Sequence, residues 1–147
     1  MLNQENSTAI NYKRDSVYQL AKKHNIKISC QPTDTNPNFM GDSEWMQRAH
    51  HWKVTLKKNR KQMTVYFSMG MLRYEEPKIE EVLDCLKMDF FSIKNERTFE
   101  EWASSLGYET DSLRAYKSWL VSKRQAKRFE KFMGKGILEE LEQCESL

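Results

Sequence analysis

The chain has 147 residues, enough for one domain with its own hydrophobic core. Its apolar fraction (39%) is low and its charged fraction (31%) is high, but 12% aromatic residues exclude a typical disordered composition. Three widely spaced cysteines argue against a disulfide framework, and neither a membrane-span-length apolar run nor a signal-peptide pattern is present. We therefore expect a soluble protein of the reducing cytoplasm with no membrane partner.

Charge is distributed unevenly along the sequence. Residues 1–74 carry a net charge of +7, residues 75–111 of −7, residues 112–135 of +7 and residues 136–147 of −4. Two arrangements fit this pattern. The acidic segments can face the basic ones and partly cancel them. Alternatively, the two basic segments can form one positive surface that attracts a phosphate backbone or an acidic protein.

The most regular pattern lies in residues 51–69, where apolar and polar residues alternate on both sides of a basic break at 58–61. A period of two predicts two strands with one apolar face each, and the break predicts an antiparallel hairpin. Residues 26–30 alternate in the same way and predict a third strand. Residues 1–12 lack periodicity and predict a disordered tail, which leaves 13–147 as a single α+β domain.

Helical patterns surround this hairpin. A short helix is expected at 16–24, and another begins near Pro77, with Glu80, Glu81 and Asp84 pointing outward. A Thr98–Glu101 capping box begins a third helix, which ends at Gly107. The predicted fold is a small antiparallel sheet, made of the hairpin plus one strand and packed by four to five helices.

The longest predicted helix begins at Asp111-Ser112, ends at Gly134 and precedes a short last helix near 137–141. Its apolar positions predict one buried face along its whole length. The residues of that face are Leu113, Tyr116, Trp119, Leu120, Ala126, Phe129, Phe132 and Met133.

The same helix carries the densest positive charge, interrupted only by Glu130, so ion pairs within the helix cannot neutralise it. The hairpin forms a second basic group, a protruding ribbon with Tyr66 beside its lysines. These residues fit contact with phosphates or an acidic partner, and they equally fit a solvated face that prevents edge pairing. The candidate partner- or nucleic-acid-binding residues are Lys53, Lys57, Lys58, Arg60, Lys61, Tyr66, Arg114, Lys117, Arg124, Lys127, Arg128 and Lys131.

Metal-binding and catalytic patterns are weak or absent in the sequence. His50 and His51 are adjacent, so on a strand their rings point to opposite faces and do not form a metal site. Glu80 and Asp84 share a helical face and could serve a Mg²⁺-dependent nuclease, but this spacing is also common on solvated helices. We therefore predict a non-enzymatic protein with no metal and no cofactor.

The cysteines have a simple structural interpretation. Cys30 and Cys85 lie on or beside apolar stripes, which predicts two core thiols.

Four segments follow one another in a characteristic order: HWKVTL at 51–56, MTVYFSMG at 63–70, EEVLDCL at 80–86 and TFEEWASSLGYETDS at 98–112. This order resembles that of small proteins encoded by phages and prophages, over roughly Trp52 to Ser112. The resemblance implies a mobile-element accessory protein, a class that includes inhibitors of host defence such as anti-CRISPR proteins. The resemblance assigns no catalytic residues to this chain. The region after Ser112 is richer in lysine and arginine than the resemblance leads us to expect.

The leading hypothesis is a phage-type host-defence inhibitor that binds a defence protein, a nucleoprotein complex or its nucleic-acid surface in the host cytoplasm. An inhibitor that mimics DNA would use residues 75–111. One that clamps an acidic protein or a guide RNA would use residues 114–135 and the hairpin tip, which the charge totals favour. The alternative is a stand-alone, sequence-tolerant DNA- or RNA-binding protein, and a metal-dependent nuclease is a third hypothesis. The sequence leaves the oligomeric state open.

Overall fold

A computed structural model describes residues 16–37, 50–69, 75–96 and 98–144. These residues form three strands and five helices. In chain order they are α1 (16–23), β1 (Ile26–Thr33), β2 (His50–Lys58), β3 (Lys61–Met69), α2 (Ile79–Asn95), α3 (Phe99–Ser105), α4 (Leu113–Met133) and α5 (Lys135–Gln143). The predicted small α+β fold is confirmed, and the predicted tail at 1–12 lies outside the described residues. No helix among the described residues is long and apolar enough to cross a membrane.

The sheet has the strand order β1-β2-β3, and both strand pairs are antiparallel. Its register places Val54 opposite both Cys30 and Val65, so the apolar positions of all three strands fall on one face. The predicted hairpin closes through two residues, and Asn59 takes the left-handed conformation there (φ 56°). Asparagine tolerates this conformation better than most residues, which explains the sharp turn inside a basic run.

One hydrophobic cluster joins the apolar face of the sheet to α1, α2, α4 and α5. Alternating strand positions and the i, i+3, i+4 positions of the helices supply its side chains. Its fully buried members include Val17, Leu56, Leu83, Phe129, Met133 and Leu141. Burial of apolar surface on this scale is the main force that holds these helices and the sheet together.

Capping residues lie at the starts and ends of the helices, as the sequence predicts. The Thr98 Oγ1 accepts a hydrogen bond from the Glu101 amide at 3.2 Å, and the Ser112 Oγ accepts one from the Ala115 amide at 3.2 Å. Gly107, which follows the C-terminal cap Leu106 of α3, has φ +78°, a conformation that only glycine adopts freely. The second helix differs slightly from the prediction, because it begins at Ile79 with Pro77 two residues outside it.

Two predictions about burial are wrong. Asp84 is buried instead of pointing outward, since it lies on the same side of α2 as the buried Lys87. One turn away, the buried Lys87 donates a hydrogen bond from its Nζ to the carbonyl oxygen of Cys144, just after α5. Cys85 is exposed instead of being a core thiol, whereas Cys30 is half-buried.

The predicted apolar face of α4 is also wrong over its first half. Ala126, Phe129, Phe132 and Met133 are buried. The N-terminal residues of the same predicted face are exposed: Leu113 (66%), Tyr116 (42%) and Leu120 (38%). The hydrophobic core therefore includes only the C-terminal half of α4, and the N-terminal half contacts α3 instead.

A charged cluster joins α1 to α5. Glu140 accepts hydrogen bonds from the His24 Nε2–H and, at 3.0 Å, from the Lys23 Nζ. These two bonds hold the pKa of Glu140 below its ordinary value of 4.5, and the bond from His24 contributes more than the bond from Lys23. A carboxylate with a lowered pKa stabilises the folded state above its unfolded-state pKa, and this stabilisation is lost as the pH falls through the folded-state pKa.

Glu140→Gln is therefore expected to be less stable than wild type at about pH 5.5, with a difference that shrinks as the pH falls toward about 2.5. Urea unfolding across this range measures it. Glu142→Gln is the matched control, since Glu142 is exposed on the same helix and forms no ion pair among the described residues. A Glu140→Gln difference that stays constant with pH would contradict the ion-paired role.

Candidate nucleic-acid interface

The C-terminal half of α4 lies along β3, which is an edge strand of the sheet. The Arg128 Nη2 donates to the carbonyl oxygen of Thr64 at 2.9 Å, and the Lys61 Nζ donates to the carbonyl oxygen of Lys131 at 3.0 Å. A long edge strand with unpaired backbone groups invites aggregation, and α4 reduces that risk by contacting this edge. The hairpin is therefore docked on α4, and the prediction of a protruding ribbon is wrong.

Lys58 is the candidate residue whose placement differs most from the prediction. Its side chain is 8% exposed, and its Nζ donates to the carbonyl oxygen of Met133 at 2.7 Å. This ammonium satisfies a carbonyl at the end of α4, where a positive charge also suits the helix dipole. Burial, and secondarily the charge of Lys61, lowers the pKa of Lys58. Lys58 therefore joins the hairpin to α4 and does not offer its charge to a partner.

Lys58→Met is expected to lower the free energy of unfolding by about 1–3 kcal/mol, because the carbonyl of Met133 loses its charged donor. Lys57→Met is the matched control: Lys57 is the preceding residue but is exposed, so its loss should change stability by less than about 0.5 kcal/mol. Urea unfolding of the two variants measures the difference. Equal stability of both would show that the bond to α4 contributes nothing.

A groove of about 340 Å³ separates β3 from α4, and we call it the β3–α4 groove. Among the described side chains that line it, three are cationic and none is acidic. They are Lys61, Gln62, Met63, Arg128, Lys131 and Phe132. Two residues from the predicted basic helix and one from the predicted basic hairpin thus meet at one site, although about 70 residues separate them in sequence. Such a site can bind an anion through charge-assisted hydrogen bonds.

A second cleft, of about 480 Å³, lies between α2, α4 and α5 and is less suited to an anion. Phe90, Phe91 and Leu138 contribute to its apolar lining. Its charged side chains include both signs in equal number: Lys94, Lys127, Lys135, Glu130, Glu139 and Glu142. The balance of charge therefore distinguishes the β3–α4 groove as the candidate anion site.

The positive surface continues from the groove across the solvent face of the sheet. Lys57 pairs with Gln62 on β3 and with Lys27 on β1, so these three residues form one row across the strands. Neighbouring strands are about 4.8 Å apart, so the row spans roughly 10 Å. Lys27 and Lys57 are exposed. Two rows further along the same face, Lys53 is exposed and pairs with the half-buried Tyr66.

The acidic segment does not neutralise the cations of α4 by ion pairing within the described part of the chain. The ion pairs found there join Glu140 to Lys23 and His24. Where the acidic helix α2 meets α4, Asp89 accepts hydrogen bonds from neutral Gln125, at 3.2 Å, and from Ser122. Burial raises the pKa of Asp89. The acidic helix α2 thus packs against α4 without an ion pair to its cations among the described residues.

The other candidate residues lie at different distances from the groove. Arg124 and Lys127 are exposed one to two helical turns before Lys131, and Arg60 is exposed in the hairpin turn. Arg114 lies 17 residues before Lys131 in α4, about 26 Å along the helix axis. Lys117, also exposed, is one turn nearer. The structure therefore does not bring these last two residues to the groove.

Two residues of this surface were not predicted. Lys27 alternates with the buried Ile26 on β1, and Gln62 alternates with the buried Met63 on β3. The same period of two that predicts the strands therefore places both on the solvent face. Their membership in one row with Lys57 depends on the strand register, which the sequence alone does not give.

Glu80 and Asp84, the two residues considered for a nuclease, are not both exposed as predicted. Asp84 is buried, and one of its carboxylate oxygens has no hydrogen-bond partner among the described residues, whereas Glu80 is half-buried. Among the described residues, no group of three or more histidine, cysteine, aspartate or glutamate side chains is placed to hold a metal ion.

No protein-family model, curated protein or solved structure matches this chain.

Proposed function

We propose that the protein binds nucleic acid, without catalysing a reaction on it, at the β3–α4 groove and the adjoining basic row. The observation that carries this proposal is the convergence of Lys61, Arg128 and Lys131 on a groove whose described lining contains no acidic side chain. Arginine and lysine neutralise phosphates and release condensed counterions, which supplies most of the affinity for nucleic acid.

An extended polyanion fits this surface better than a single small anion. Positive charge runs from Arg124 along α4 to the groove and then over the sheet through Lys57 to Lys27. A chain of phosphates can contact these cations one after another, and Gln62 adds a neutral hydrogen-bonding group between them. No base-reading element is required, so the binding is expected to tolerate different sequences.

The biological setting that we propose is a phage-type inhibitor of host defence in the host cytoplasm. Its support is the resemblance of residues 52–112 to small phage and prophage proteins. In this setting the basic surface engages the nucleic acid, or an acidic surface, of a defence nucleoprotein complex. A stand-alone nucleic-acid-binding protein would use the same surface, and the two proposals differ in whether a protein partner is also held.

Fluorescence anisotropy with labelled oligonucleotides tests the binding proposal. Affinity should fall steeply between about 50 and 200 mM salt, with a slope of about −3 to −5 on logarithmic axes if four to six phosphates are contacted. Binding should need no divalent metal, and the oligonucleotide should remain uncleaved. Absence of binding at the lowest salt concentration would refute the proposal.

A pull-down from host lysate, with and without nuclease treatment, separates the two biological settings. Retention of a stoichiometric defence protein after nuclease treatment supports the inhibitor. Retention of nucleic acid alone, lost after nuclease treatment or at raised salt, supports the stand-alone binding protein.

A further inference from the structure

The N-terminal half of α4 and the chain before it display apolar and aromatic residues to solvent. Tyr108 is 48% exposed and Tyr116 is 42% exposed, and Leu113 and Leu120 are exposed beside Tyr116 on α4. Leu113, Tyr116 and Leu120 belong to the α4 face that is predicted to be buried, whereas Tyr108 precedes that helix. Contiguous apolar surface beside a charged region often marks a binding site.

The two tyrosine rings are fixed by the rings beneath them. Tyr108 stacks on the buried Trp102, with ring centroids 5.6 Å apart and an angle of 27° between the planes. Tyr116 packs edge-to-face on Phe99 at 5.3 Å and also contacts Trp119 at 5.8 Å. Rings held in this way lose little conformational freedom when a further flat group stacks on them.

Cations lie next to these rings and connect them to the proposed nucleic-acid interface. Lys123 Nζ lies over the Trp119 ring at 4.4 Å, and Lys117 is exposed one residue after Tyr116. One exposed ridge of α4 then continues at steps of three or four residues. Its members are Leu113, Tyr116, Leu120, Arg124, Lys127 and Lys131. Aromatic and apolar groups at one end of this ridge are followed by cations that lead to the groove.

We propose that this ridge makes the protein a binder of single-stranded nucleic acid, with unpaired bases stacking on Tyr108 and Tyr116 and phosphates following the cations of α4 toward the groove. The inference rests on the proposed nucleic-acid-binding function. Charge complementarity requires an anionic occupant, and the exposed rings favour one with flat apolar groups. Unpaired bases expose both of their faces for stacking, whereas bases in a duplex do not.

Anisotropy with a single strand of about 15 nucleotides and with the duplex of the same sequence, at one salt concentration, tests this inference. Wild type should bind the single strand at least tenfold more tightly. Tyr108→Leu and Tyr116→Leu should each weaken single-strand binding by about tenfold and leave duplex binding and the salt slope unchanged. Tyr108→Phe and Tyr116→Phe keep the rings and should retain wild-type affinity, and thermal melts confirm that all four variants are folded.

Equal affinity for single strand and duplex, or single-strand affinity unchanged in both leucine variants, would overturn the inference and leave the proposed function standing. Binding of neither form would overturn both. Binding of an acidic protein at these tyrosines, with no effect of the leucine variants on oligonucleotide affinity, would also overturn the inference.

Discussion

Reversing the charges of Arg124 and Lys131 together is expected to weaken nucleic-acid binding by about a hundredfold at moderate salt. Each reversal removes an attraction to phosphate and adds a repulsion. Lys131 lines the β3–α4 groove, and Arg124 is exposed two turns before it on α4. Neither side chain forms an ion pair among the described residues, so the fold should be retained. Anisotropy titrations of the Arg124→Glu, Lys131→Glu double variant measure the loss.

The matched control is the Lys22→Glu, Lys78→Glu double variant, which changes the net charge of the protein by the same amount. Both control residues are exposed, one on α1 and the other just before α2. If affinity depends on the local surface, the control should lose less than about threefold. Equal losses in the two double variants would mean that only net charge matters, which would contradict a defined interface.

Phe129→Ala is expected to have the largest effect on stability, a loss of about 3–5 kcal/mol. Phe129 is 1% exposed and packs edge-to-face on Phe90 of α2, with ring centroids 6.2 Å apart. It therefore holds α4 against α2 and the sheet at the level of the groove. Removal of the ring leaves a cavity that the surrounding side chains fill only in part. Urea unfolding measures the loss.

Leu120→Ala, on the same helix, serves as the control for this variant. Because Leu120 is 38% exposed, its truncation removes fewer packed contacts and should cost less than about 1 kcal/mol. The difference between the two variants reports how far the core extends along α4. A loss at Leu120 as large as that at Phe129 would show that both halves of the helix are packed equally.

The sheet and the helix ends could be predicted because their signals are local. A period of two over β2 and β3 placed Val54, Leu56, Met63 and Val65 on one face, and all four are buried. The short helix expected at 16–24 ends at residue 23, and Asn25 just after it takes the left-handed conformation (φ 56°) that asparagine tolerates. Each of these features depends on residues within a few positions of one another.

The features that the sequence did not reveal depend on distant contacts. Lys58 lies on the same face of its strand as the buried Leu56, but the charge of its side chain predicts that it is exposed. Its hydrogen-bond partner, the carbonyl of Met133, lies 75 residues later in the sequence. The helical period of α4 defined an apolar face but not the point where the supporting core ends, so Leu113 and Leu120 were predicted buried. The charge pattern predicts a basic surface. It does not predict the groove, because the groove forms only where β3 packs beside α4.

The most direct test of the central claim is an NMR titration of isotope-labelled protein with a short oligonucleotide, following each backbone amide. We expect the largest shift changes at Lys61, Gln62, Arg128 and Lys131 and along the row through Lys57, with α1 and the acidic end of α2 nearly unchanged. Shifts concentrated on residues 79–84, with none at the β3–α4 groove, would contradict a nucleic-acid interface between the hairpin and α4.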